Sequence, residues 1–230
     1  MKKTFAIAGA LAAGVLLTGC GIGDLVGSRH QEQVSYDVTD KVAKLTVDSG
    51  AGDIVVNESD RTGIRVTETL HWRSGKPRTA HEVGGGGLSL NYNCPDTFGD
   101  CGVDYRIEVP KGMALQLATD AGNVTLRAVS GAADVSTRAG NIDADGVLAK
   151  RFEAETDAGE VEVSFAGEPD QVRAKTGVGD VTVYVPKGSY DVEASTGVGD
   201  RKVEVPDDPA SPRKITLTTN AGNAQVLETS

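Results

Sequence analysis

Few residues in this chain are of a type, or at a spacing, that performs chemistry. Three histidines, His30, His71 and His81, are scattered, and none falls in a metal-binding pattern such as His-Glu-x-x-His. No Gly-x-Ser-x-Gly elbow presents a serine nucleophile. Residues 84–87 are a run of four glycines without the Lys-Ser/Thr that holds a phosphate, so they read as a flexible loop. Paired carboxylates that cleave glycans on a β-helical scaffold are the remaining catalytic option. With 33 Asp and Glu in the chain, finding two together would prove little. The expectation is a protein that is not an enzyme and uses no cofactor.

The cysteines say more. Cys94 and Cys101 flank Pro95-Asp96-Thr97-Phe98-Gly99-Asp100, a segment of turn formers able to bring both sulfurs together. A disulfide suits an oxidising, extracytoplasmic compartment. Free thiols or half of a metal site are the alternatives, although Cys-x6-Cys with no second pair is poor zinc spacing. Cys20 follows a different logic. Met1 is followed by Lys2 and Lys3, then by an uncharged apolar run over residues 5–17, too short to span a membrane comfortably. It ends in Leu17-Thr18-Gly19-Cys20, which resembles the bacterial lipobox. That resemblance implies cleavage after Gly19 and a lipid on Cys20 that anchors the chain to the outer face of a membrane. An ordinary secretory signal with a chance cysteine is the competing reading. Residues 1–19 are then a signal peptide, and the mostly small or polar residues 20–40 a flexible tether that carries His30.

Composition narrows the partners. Loss of Lys2 and Lys3 with the signal moves the formal charge from −10 to −12. Nucleic acid is excluded on that ground, because phosphate contacts need clustered Lys and Arg. Aromatic residues make up only 4% of the chain against 29 glycines, so the core must be built from Val, Leu, Ile and Ala.

The elements that hold these residues are repeats. A small-Gly-Asp/Asn/Glu corner recurs at Gly52-Asp53, Gly122-Asn123, Gly140-Asn141, Gly159-Glu160, Gly179-Asp180, Gly199-Asp200 and Gly222-Asn223. From Gly122 the spacings are 18, 19, 20, 20 and 23 residues, a period that belongs to solenoids. Between corners the pattern alternates with period two, as in Val181-Thr182-Val183-Tyr184-Val185, and no helical stripe of useful length is present. Glycine supplies the unusual corner backbone, and Asp or Asn can close the turn on nearby amides. The chain is expected to be all-β, a single-stranded parallel β-solenoid with roughly 20-residue coils and two main strands per coil. A β-sandwich of repeated hairpins is the alternative.

Thr176-Gly177-Val178-Gly179-Asp180-Val181 and Thr196-Gly197-Val198-Gly199-Asp200, with the Val-Pro-Lys-Gly turns at Val109-Pro110-Lys111-Gly112 and Val185-Pro186-Lys187-Gly188, resemble a bacterial adhesin-like family. This is the domain of unknown function 4097. The resemblance covers residues 41–228 and implies an exported or membrane-associated single-stranded β-solenoid; it says almost nothing about activity. The pattern is interrupted at 71–104, read as an irregular insert within a 41–230 solenoid domain, and loosens at 205–214, where Pro206, Pro209 and Pro212 fall.

Two candidate sites follow. Glu160, Asp180 and Asp200 would stack on successive coils about 5 Å apart, as solvated turn residues or as a weak Ca²⁺ site. Trp72, the only tryptophan, lies beside Arg73 in the insert, where it would either stack on a sugar or protein partner or cover the solenoid core. The function expected is a lipid-anchored, extracytoplasmic, adhesin-like binding module of the cell envelope, with polysaccharide or an envelope protein as partner. A structural or regulatory envelope lipoprotein is the alternative, and a glycan-active β-helical enzyme the third reading.

Overall fold

Alternating strands bury every second side chain, so a chain of them needs a second apolar face to cover the first. The computed structural model describes residues 29–95 and 101–229. Cys20 with its lipobox, and the 96–100 segment between the cysteines, lie outside the described residues. The N-terminal part runs β1 (His30–Val38), β2 (Lys44–Ala51), β3 (Ile54–Ser59), β4 (Ile64–Trp72), β5 (Arg78–Gly84), β6 (Gly87–Asn93) and β7 (Cys101–Pro110). The C-terminal part runs β8 (Ala114–Ala121), β9 (Val124–Arg127), β10 (Ala133–Ala139), β11 (Ile142–Val147), β12 (Arg151–Ala158) and β13 (Val161–Phe165). It continues with β14 (Gln171–Val178), β15 (Val181–Val185), β16 (Asp191–Val198), β17 (Arg201–Val203), β18 (Lys214–Ala221) and β19 (Ala224–Glu228).

These strands form two sheets. One has ten strands in the order β1-β4-β7-β3-β9-β11-β13-β15-β19-β17, the other nine in the order β16-β18-β14-β12-β10-β8-β2-β6-β5. From β8 onward each coil lays one strand in each sheet, and neighbours pair in parallel. Leu117, Val135, Ala154, Ala174 and Leu217 thereby align as one inward row across the nine-stranded sheet. This is the parallel β-solenoid; a sandwich of hairpins would pair its neighbours antiparallel. The core between the sheets is mostly aliphatic, with Phe152 and Phe165 meeting edge to face at 5.9 Å.

The coils do not stack in sequence order. β18–β19 is inserted between β14–β15 and β16–β17, so the last coil in sequence is not the last in space. Burial explains the exchange. β18 and β19 bring Ile215, Leu217, Ala224 and Val226 to the core. β16 and β17 offer only Val192, Ala194 and Val203 inward, with Arg201 at the position that Ala224 fills. The weaker coil therefore becomes the end.

Two expectations about the N-terminal part need correction. Residues 30–38, expected within the flexible tether, are β1, paired antiparallel with β4 from His30↔Trp72 to Val38↔Ile64. Val34, Tyr36 and Val38 alternate with polar residues there, a period-two signal that the segment's polar composition hides. The 71–104 insert is likewise mostly strand: β5 and β6 form an antiparallel hairpin, and β7 pairs antiparallel with β4 and parallel with β3. Its loss of the twenty-residue period marks a change of strand direction, not a loss of structure.

Candidate functional site

The acids of the glycine corners are candidates for cation binding. At Gly140 the backbone has φ of +157°, and a Cβ there would lie 2.0 Å from the Gly122 carbonyl oxygen of the neighbouring coil. Glycine is demanded by that contact as much as by φ. The residue after each glycine then caps the next coil. The N–H of Asn123 donates to Asp53 Oδ1 (2.8 Å), that of Asn141 to Asn123 Oδ1 (2.9 Å) and that of Glu160 to Asn141 Oδ1 (2.9 Å). Further on, Asn223 N–H donates to Asp180 Oδ1 (2.7 Å) and Asp200 N–H to Asn223 Oδ1 (2.9 Å). The missing rung is Glu160 to Asp180, where the longer glutamate side chain makes no such bond.

This ladder corrects the expected stack of Glu160, Asp180 and Asp200. Asn223 lies between Asp180 and Asp200 because β18–β19 is inserted there. The oxygens of Asp53 and Asp180 are engaged by backbone amides, and among the described residues no cluster of His, Cys, Asp or Glu could hold a metal ion.

A second ladder lies inside the first. Thr137 Oγ1 donates to the Gly122 carbonyl (3.0 Å), Thr156 to that of Gly140 (3.0 Å) and Thr176 to that of Gly159 (2.8 Å); Thr119, Thr196 and Thr219 do the same. Sequence reading missed it, although Thr or Ser stands three residues before every corner glycine. Asp104 was also missed. It accepts the Asp53 N–H at 2.9 Å and extends the corner ladder into β7 without a glycine to announce it.

The N-terminal end holds the chain's rarer residues. Cys94 and Cys101 are disulfide-bonded and join the end of β6 to the start of β7. Trp72 is partly buried against the core; His30 stacks on it at 5.6 Å, and Lys76 Nζ stands 5.7 Å from its ring while pairing with Glu32 at 2.7 Å. Trp72 thus covers core, and Arg73 beside it is exposed. His71 Nε2 lies 2.8 Å from Asp104 Oδ2, and His81 stacks on Tyr36 at 4.7 Å. Behind them, buried Glu68 accepts a hydrogen bond from Tyr36 Oη at 2.7 Å. Burial, reinforced by that bond, pushes the Tyr36 phenol far above its usual range, and burial followed by the nearby Glu68 does the same to Tyr105. His30 and His71 border one hollow, and each of the three histidines has a different partner: Trp72, Asp104 and Tyr36.

A concave surface lies on the outer face of the nine-stranded sheet. A groove of about 370 Å³ is lined by Lys44, Ala114, Gln116, Asp134, Arg151 and Glu153, over buried Leu115 and Ala133. Alanine 114 and 132 leave its floor low between the two cations. Lys44 Nζ donates to Gln116 Oε1 (2.7 Å), and Arg151 pairs with Glu153 at 3.0 Å. Such a surface can exchange hydrogen bonds with hydroxyl and carboxylate groups; it assembles no nucleophile with a base.

Among the described residues no helix is long and apolar enough to cross a membrane. A "putative cell adhesion protein" from Clostridium sporogenes shares the fold at a TM-score of 0.54 and 13% identity, over 87% of this chain and all of that one. A "putative adhesin" from Bacteroides fragilis aligns at a TM-score of 0.31 and 12% identity, over 86% of this chain and 97% of that one. No curated protein sequence matches the chain. The family model of the Toastrack domain matches residues 39–229, nearly the whole of the described chain, and the protein belongs to the Toastrack family, the domain of unknown function 4097.

Proposed function

We propose that the protein is a non-enzymatic binding module of the cell envelope, exported by residues 1–19 and held at the outer face of a membrane by a lipid on Cys20. The observation that carries the binding reading is the continuous outer face of the nine-stranded sheet, with its open groove between Lys44 and Arg151. Nine strands at about 4.8 Å give a face roughly 40 Å across, long enough to lie along an extended polymer. Its side chains are polar and of both signs, which suits a polysaccharide offering hydroxyls and carboxylates. Similarity in fold to a chain named as a putative cell adhesion protein agrees with a role at the cell surface.

The test is binding of the mature chain to purified envelope polysaccharide and to host matrix, compared with Lys44→Ala/Arg151→Ala. Saturable binding that weakens about tenfold or more in the double variant supports the groove. Binding to neither fraction would sink the adhesin reading and leave a structural or regulatory lipoprotein.

A further inference from the structure

The two ends of the stack are built differently. At the C-terminal end the outermost coil presents Arg201, Lys202, Glu193 and Glu204, the residues 205–213 fold back, and Tyr190 is fully buried. At the N-terminal end the outermost strands leave inward-facing apolar side chains partly in solvent. Val34 on β1 faces the same side as buried Glu68, and Val83 on β5 the same side as buried Leu88. β1 and β5 are the edge strands of their sheets, and these two inward-facing valines are 40% and 45% exposed. Trp72 lies at the same end, in a hollow of about 310 Å³ that it lines with Arg29, His30, Gln31 and His71.

We infer that this end is a membrane-contacting surface, fitted to the headgroup layer of an anionic phospholipid bilayer. The charge is right. In a chain of formal charge −10, the residues around the hollow, along the β4–β5 connection and on β5 carry Arg29, Arg73, Lys76 and Arg78 against Glu32, Glu82 and Asp104, the last paired with His71. Cationic side chains beside a tryptophan and short apolar residues are what an interfacial surface requires. The tether is right as well, and this part rests on the lipid-anchoring reading. β1 begins at His30, beside Trp72, so the anchor enters the fold at this end. Residues 21–29 reach at most about 32 Å when fully extended, so a lipid on Cys20 keeps this end within that distance of the bilayer. Seated so, the stack stands away from the membrane with both sheet faces open to the side.

Trp72 reports on the surface directly, being the chain's single tryptophan. The polypeptide from Gly21 keeps both sheets and the whole described core and lacks the lipid acceptor. Its emission is followed with vesicles of phosphatidylglycerol or of phosphatidylcholine alone. Expected are a blue shift and quenching by bromine-labelled phosphatidylglycerol, weakened by salt and absent on neutral vesicles. Arg73→Glu/Arg78→Glu should lower partitioning roughly tenfold or more while leaving the thermal midpoint in place. Unchanged emission on anionic vesicles, equal partitioning of the double variant, or self-association that covers Trp72 without lipid would each overturn the inference. The intact mass of the full-length product recovered from membranes tests Cys20 separately: an unmodified cysteine removes the anchoring reading, and the vesicle result still decides the surface.

Discussion

The stack from β8 to β19 and the part from β1 to β7 share one core but obey different rules. In the first, register decides everything. Each glycine is pressed on the carbonyl of the next coil, each corner Asx and each Thr repeats its bond, and a side chain's surroundings follow from its place in the twenty-residue period. In the second, the chain reverses direction three times, at β1·β4, β4·β7 and β5·β6. It is held by a disulfide, a buried carboxylate and stacked rings. Repetition leaves little room to vary one coil alone. The N-terminal part is free of that constraint, and it carries the only tryptophan and all three histidines.

The sharpest way to break this contrast is a pair of glycine substitutions. Gly140→Ala drives a methyl into a carbonyl and should cost about 4 kcal/mol or more, or prevent folding, as read by denaturant titration. Gly85→Ala, with φ of +57° but nothing near its Cβ, should cost only about 1 kcal/mol. Equal costs would mean that the corner contacts relax easily. Phe152→Ala, in the middle of the stack, should lower stability by about 3–5 kcal/mol and broaden hydrogen exchange across β10 to β15. Reduction of Cys94–Cys101 should cost about 2–3 kcal/mol, with faster exchange confined to β4 to β7. If exchange quickened equally in β12 and β14, the two parts would be one cooperative unit and the contrast would fail.

Alkaline pH separates the parts more gently. The folded pKa of Tyr105 is raised above its unfolded value near 10, so its contribution is complete below that pH and is lost as pH rises beyond it. Stability should fall above about pH 10, by up to about 1.4 kcal/mol per pH unit from Tyr105 alone. Phenolate absorbance should rise with unfolding; a folded chain in which Tyr36 and Tyr105 both titrate would contradict their burial. The smallest effect lies in the ladder's gap. Glu160→Asn supplies the missing acceptor for Asp180 N–H and should raise stability by about 0.5–1 kcal/mol, or about 1–4 °C in melting temperature. No gain would show that the corner bonds contribute little beyond the glycine contacts.

The parallel solenoid was legible because its cause is periodic: glycine every coil at a carbonyl, an alternating run between. The disulfide was legible as one of several options, since six intervening turn formers allow it without requiring it. Spatial order was harder to see. Arg201, standing where every other corner is followed by an apolar residue, was the one hint that β16–β17 would be an end coil. β1 was lost in a polar segment, and Asp104 had no glycine to mark it.

Sequence alone determined the class of fold, the corner chemistry and a lipobox-like signal, because local sterics and hydrogen bonding act within a few residues. Only the tertiary structure decided which coil lies outermost, which strands reverse, and which faces stay open. Those outcomes depend on how much apolar surface each coil can cover on its neighbour, a comparison among segments far apart in the chain. The exposed valines of β1 and β5 and the groove between Lys44 and Arg151 arise from that comparison, and no single stretch of residues contains it.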